Sequence, residues 1–219
     1  MTKTALMSFA WMLAIGGMMT SGGCNIVAPA FMVIHGPPKT PAAHALDPER
    51  ATAVFLDDRD NRIPRRSMRQ ALTKQAQESL LKNRVLKDLI STESSAAFAA
   101  TESPDKPMSI TELGRGVGAA VVIHATMTAF GLSPDGQVYA PFAELRVRVV
   151  DAETDRRLWP DTDGGYPLVV QLPARASDGP TSVAARIQVE TELATLAGQR
   201  LAELFYKHET NKPVSVPNP

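Results

Sequence analysis

An α/β (α+β) fold, a small mixed or antiparallel sheet flanked by helices, is predicted by three features of the sequence. Strand-period and helix-period stretches alternate between residues 49 and 208. Two long alternating stretches flank a turn-forming tetrapeptide, which predicts a hairpin. The longest helix-period stretch comes last and is apolar on one side.

Ala51 to Leu56 is short and apolar, as a strand should be, and runs into the charged stretch Asp57 to Arg66. Met68, Leu72, Ala76 and Leu80 recur every four residues, which predicts an N-terminal helix over 67–83. Val85 to Ile90 reads as a second strand, and the Ser/Ala-rich stretch 91–106 has no periodicity and reads as a loop. Ser109-Ile110-Thr111-Glu112 fits a capping box, so a short middle helix starts there and ends within Gly114 to Gly118. Val121, Ile123, Ala125, Met127 and Ala129 share one face of a strand, with Val122, His124, Thr126 and Phe130 on the other. Leu145, Val147 and Val149 alternate with Glu144, Arg146 and Arg148 on its partner. Ser133-Pro134-Asp135-Gly136 supplies the tight turn between them. A second turn at 151–155 leads to Arg157-Leu158-Trp159, and Leu168 to Leu172 extends or adds to that strand. Ser182 to Lys207 is the long C-terminal helix, with Val183, Ile187, Leu193, Leu196, Ala197, Leu201, Leu204 and Phe205 as its apolar stripe against the sheet.

The ends differ in character from this middle. Lys3 is the only charged residue before Lys39, and it precedes an apolar run from Ala5 to Met19. That is the charged and apolar pair of regions of an export signal, too short for the roughly 20 apolar residues of a membrane span. Small residues, Ser21-Gly22-Gly23, then lead into Cys24, the only cysteine. This resembles the lipobox of bacterial lipoproteins, with Ser21 where leucine is usual. It implies a signal peptide over 1–23 and a diacylglyceryl lipid on Cys24 that ties the chain to a membrane. Residues 24–48, with Gly36-Pro37-Pro38 and Pro41, read as a semi-rigid tether before a domain over 49–208; residues 209–219 read as a disordered tail.

Function classes are narrowed by what the chain carries. Lys plus Arg and Asp plus Glu both number 23, so no net charge draws the domain to nucleic acid. The sequence has no Gly-x-Ser-x-Gly, phosphate loop, His-Glu-x-x-His or cysteine pair, and predicts no cofactor, metal or catalytic site. Of its four histidines, His35, His44, His124 and His208, none is spaced from another like a ligand pair; His124 reads as a satisfied structural histidine. One dense polar constellation stands out: Asp57, Asp58, Arg59, Asp60, Arg62, Arg65 and Arg66. Its carboxylates would suit a divalent cation or acid–base work, but four arginines compete for them. A salt-bridged surface loop is the leading reading and a partner-binding loop through Asp57, Asp58, Arg59, Arg62, Arg65 and Arg66 the second.

The element order, with Glu112-Leu113-Gly114-Arg115-Gly116-Val117-Gly118-Ala119-Ala120 before the hairpin and Val149-Val150-Asp151-Ala152-Glu153-Thr154 before Leu158-Trp159, resembles envelope lipoproteins of the curli-secretion, penicillin-binding-protein-activator and TolB-N-terminal type. The whole, including Cys24-Asn25-Ile26-Val27-Ala28-Pro29, also resembles uncharacterised lipoproteins of planctomycete-type bacteria. The first strand departs from the pattern, ending in Asp57-Asp58-Arg59 where relatives continue with a Pro-Phe-like pair. The resemblance implies a non-enzymatic assembly or interaction module of the cell envelope, facing the periplasm, with an envelope protein partner or self-association. A component of an export or lipopolysaccharide-delivery machine is the alternative, and a hydrolase with an unrecognised site the third. Asn25 is not the aspartate associated with inner-membrane retention, which favours the outer membrane.

Overall fold

A computed structural model of the chain describes residues 38–103, 107–136, 138–173 and 179–209. The expected signal peptide over 1–23, Cys24 and the residues beyond Glu209 lie outside the described residues.

One sheet organises the domain. Strand β1 (Thr52–Asp57) leads to helix α1 (Arg66–Lys82), then to the two-residue strand β2 (Leu89–Ile90) and helices α2 (Thr92–Ala99) and α3 (Ile110–Gly116). The hairpin strands β3 (Val121–Gly131) and β4 (Phe142–Asp151) follow, then β5 (Arg156–Trp159), β6 (Tyr166–Gln171) and helix α4 (Val183–Glu203). The spatial order is β2-β1-β3-β4-β5, with β6 also pairing with β4. β1 is parallel to both of its neighbours, and every pairing from β3 onward is antiparallel, so the sheet is mixed. β5 does not continue into β6. The two take successive stretches of one edge, β5 opposite Val149 to Asp151 and β6 opposite Phe142 to Val147.

The α1 repeat buries Met68, Leu72, Ala76 and Leu80 against Val54, Ile123, Leu145 and Val147 of the sheet and Leu193 and Leu201 of α4. The α4 stripe does the same from Leu193 onward, whereas Val183 in its first turn is 72% exposed. Gly198 lets the two helices cross closely: a Cβ there would lie 2.1 Å from the Leu72 carbonyl oxygen. On the opposite face a smaller cluster joins Leu113, Val122 and Ala152 to Phe55, Phe98, Met108 and Ile110.

Several expectations from the sequence are corrected here. Residues 91–106 are not wholly a loop, because α2 forms with Ser91 accepting from the Ser94 amide as its cap. Only Thr92 and Ser95 of that helix are buried, so it has no apolar stripe for periodicity to detect. The second strand shrinks to Leu89–Ile90, since Arg84 turns at φ 55 and the Val85 amide donates back to Leu80, closing α1 in a Schellman-type cap. The hairpin connection is longer than a tight turn, spanning residues 132–141. A register shift between Met127 and Ala129 then carries Phe130 to the helix-packed face. Helix α3, by contrast, ends at Gly116, within the Gly114 to Gly118 stretch as expected, and Gly118 at φ 77 follows its end. Finally, Ala43 and His44 donate backbone bonds to the Leu204 carbonyl, His44 stacks on Trp159 at 5.7 Å, and Leu46 packs on the core; these residues of the expected tether belong to the packed domain.

Candidate functional site

Topology singles out the carboxyl end of β1. The chain leaves β1 for β2 through α1 on one face of the sheet, then returns past β1 to β3 through α2 and α3, which pack on the other. Where parallel strands send their connections to opposite faces, a crevice opens at their carboxyl ends. The charged loop 57–66 starts there.

That loop is three separate arrangements. Asp58, its side chain 2% exposed, faces inward and accepts from the Arg62 amide at 2.7 Å, the Ile63 amide at 3.2 Å and Arg69 Nη1 at 2.8 Å. Buried Ile63 pins the loop to the core. Asp58 is therefore an internal acceptor, its carboxylate engaged by the loop and α1, unlike the other partner-binding candidates. Asp57 and Arg59 turn toward the crevice, where Arg59 reaches Glu102 at 2.9 Å and Asp57 at 3.6 Å. Arg62 meets Asp60 at 3.2 Å in solvent. Arg65 and Arg66 are exposed and have no carboxylate partner among the described residues. They stand at the start of α1, whose N-cap residue Arg65 makes no side-chain cap. Two cations at the positive end of a helix dipole repel it, and an anion placed there would relieve them.

The crevice holds the pair that the sequence reading missed. Parallel pairing sets Phe55 beside His124 and Asp57 beside Thr126. His124 Nε2 lies 3.4 Å from Asp57 Oδ2, and the imidazole stacks on Phe55 at 5.7 Å. The hydrogen bond to His124, with Arg59 adding its charge, holds the Asp57 carboxyl below the usual carboxylate range despite partial burial. His124 is thus only half satisfied, for its Nδ1 is buried with no partner. No local signal marks this pair, because it depends on which strand lies beside β1. The crevice encloses about 510 Å³ and is lined by Phe55, Asp57, Arg59, Met108, His124 and Arg148, among others.

Acid–base catalysis needs a histidine nitrogen that substrate can reach. Here one nitrogen faces Asp57 and the other is sealed. Ser109, the nearby hydroxyl, accepts the Glu112 amide as the cap of α3. Among the described residues no group of three His, Cys, Asp or Glu is placed to hold a metal ion.

A second concavity of about 360 Å³ runs along the outer edge of β1, between α1 and α2. Val54, Phe55 and Leu56 form its floor; Arg66, Gln70 and Thr73 line one wall, and Glu93, Ala96, Ala97 and Ala100 the other.

No family model matches this sequence, and no curated protein matches it. Solved structures do. The hypothetical protein CT253 from Chlamydia trachomatis is 19% identical with a TM-score of 0.45, covering 71% of this chain and 93% of that one. The PelC dodecamer from Paraburkholderia phytofirmans is 12% identical with a TM-score of 0.40, covering 75% and 95%. Lipoprotein GNA1162 from Neisseria meningitidis is 13% identical with a TM-score of 0.41, covering 68% and 98%. The functional reading rests on this chain's own residues.

Proposed function

We propose that this chain is a lipid-anchored envelope protein whose domain binds a protein partner rather than catalysing a reaction. The observation that carries the reading is the pair Arg65 and Arg66, exposed and without a carboxylate partner among the described residues, at the start of α1 beside the open edge of β1. Charges in such a rim set specificity and encounter rate. The sealed nitrogen of His124 and the committed hydroxyl of Ser109 favour binding over chemistry. The anchor is argued from Lys3, the apolar run and Cys24.

Two experiments test the two halves. Cys24→Ser should release the protein from the membrane fraction and abolish lipid labelling; retention with unchanged mobility and labelling overturns the anchor. Changing Arg62, Arg65 and Arg66 together to Glu should cut recovery of cross-linked envelope proteins several-fold while the melting temperature does not fall, since exposed sites away from packing change stability by only about 0.5 kcal/mol each and carboxylates at the start of α1 favour its dipole. Equal recovery removes the loop from the partner surface, and unfolding shows its arginines to be structural counter-ions.

A further inference from the structure

We infer that the groove between α1 and α2 receives an extended peptide of the partner, which adds to the outer edge of β1 as a parallel strand and sets a carboxylate against Arg66. The inference rests on the partner-binding reading above and names the form that the partner takes.

Backbone hydrogen bonds show what the edge lacks. The Ala51 carbonyl accepts from the Ala120 and Val121 amides, on the β3 side. Polar backbone groups alternate sides along a strand, so those of Ala53, Phe55 and Asp57 also face β3, and those of Thr52, Val54 and Leu56 face the other edge. On that edge β2 supplies partners only opposite Thr52 and Ala53. Beyond it the Val54 carbonyl and both polar groups of Leu56 face the groove with no partner among the described residues. Open edge groups of this kind are a template for another strand. About four residues, at roughly 3.3 Å each, would span from Val54 to Asp57.

The walls suit such an occupant. Ala96, Ala97 and Ala100 line the groove with small apolar side chains and are exposed, while Phe98 and Ala99 of the same segment pack on the cluster of the opposite face. Charge then sets the direction. Arg66 stands where α1 begins, at the carboxyl end of β1, and Glu93 follows β2, whose Ile90 pairs with Ala53 near the other end. A strand parallel to β1, as β2 and β3 are, would bring a carboxylate at its carboxyl end to the unneutralised Arg66 and keep it away from Glu93.

The probes are two blocked peptides, acetyl-Thr-Val-Thr-Val-Asp-amide and the same sequence ending in Lys. They are titrated into the full-length chain in detergent while amide hydrogen exchange is followed at Leu56. The Asp peptide should slow Leu56 exchange at least tenfold and bind at least fivefold tighter than the Lys peptide, and Arg66→Glu should invert that preference. Arg66→Gln, which removes an exposed unpaired charge, should abolish the preference and serves as the variant if the reversal fails to fold. Three results overturn the inference: unchanged Leu56 exchange with either peptide, equal binding of both by the natural chain, or Leu56 protection without peptide that grows with protein concentration, which assigns the edge to a second copy. Loss of cross-linking in the triple arginine variant alongside unchanged Leu56 exchange would sink strand addition and leave the partner-binding reading standing.

Discussion

On one face of the sheet, α1 and α4 bury Met68, Leu72, Ala76, Leu80, Leu193 and Leu201 over Val54, Ile123, Leu145 and Val147. On the other, α2 and α3 bury little more than Leu113, Val122 and Ala152, and Glu144 and Arg146 of the same β4 strand stay exposed. The difference follows from alternation. β4 is apolar on one side only, so the second face can be covered only where β1, β3 and the β4 turn supply Phe55, Val122 and Ala152. Stability is concentrated on the first face. The second face and the edge of β1 are left to hold charged groups, crevice and groove.

If that division is right, the largest loss should come from the crossing of the two helices. Gly198→Leu, whose Cβ would meet the Leu72 carbonyl oxygen at 2.1 Å, should cost about 3 kcal/mol or prevent folding, read as a fall in the urea midpoint. A mild effect would mean that α1 and α4 are packed more loosely than this contact requires. Next comes the seam between face and loop. Asp58→Ala strips the acceptor from two backbone amides and from Arg69 and should cost about 2 kcal/mol, with faster amide exchange at Arg62 and Ile63. Unchanged exchange there would show that Ile63 alone holds the loop.

On the lightly covered face, Gly114→Ala should cost about 1 kcal/mol net. The new Cβ would sit 2.6 Å from that of Ala152 and 2.7 Å from Val122 Cγ2, while alanine's helix preference returns part of the loss. If it proves costlier than the Gly198 variant, the ranking of the two faces is reversed. The smallest effect concerns acid. Asp151 accepts from the Thr154 and Glu153 amides and pairs with Arg50 at 3.0 Å; the Thr154 bond, then Arg50, hold its pKa down at about 2. A carboxyl more acidic in the folded than in the unfolded chain stabilises fully above the unfolded value of about 4, and that contribution is lost as pH falls toward 2. Asp151→Asn should therefore lower stability at neutral pH and flatten its fall between pH 4 and 2. An unaltered acid profile would show that this turn is not where acid acts.

Legibility in the sequence tracked local repetition. The four-residue repeat of α1, the alternation of β4 and the capping box at Ser109, where Glu112 reaches back to the Ser109 amide at 2.9 Å, all declare themselves within one element. Helix α2 escaped because burial of only Thr92 and Ser95 leaves no period, although its alanines and the Ser91 cap were a usable signal of a different kind. The charged stretch was visible as a cluster, but a cluster in sequence does not say which side chains turn inward.

By itself the sequence determined the α/β class, the two long helices and the hairpin, since each follows from periodic burial along a single element, and its Ser21-Gly22-Gly23-Cys24 stretch is what the proposed anchor rests on. Only the tertiary structure decided that Asp58 is an internal acceptor while Arg65 and Arg66 have no carboxylate partner among the described residues, that Asp57 meets His124, and that half of β1 keeps an open edge there. Those outcomes depend on which strand lies beside β1 and on where β2 ends. Contacts between residues far apart in the chain are set by packing and backbone pairing together, and no local period records them.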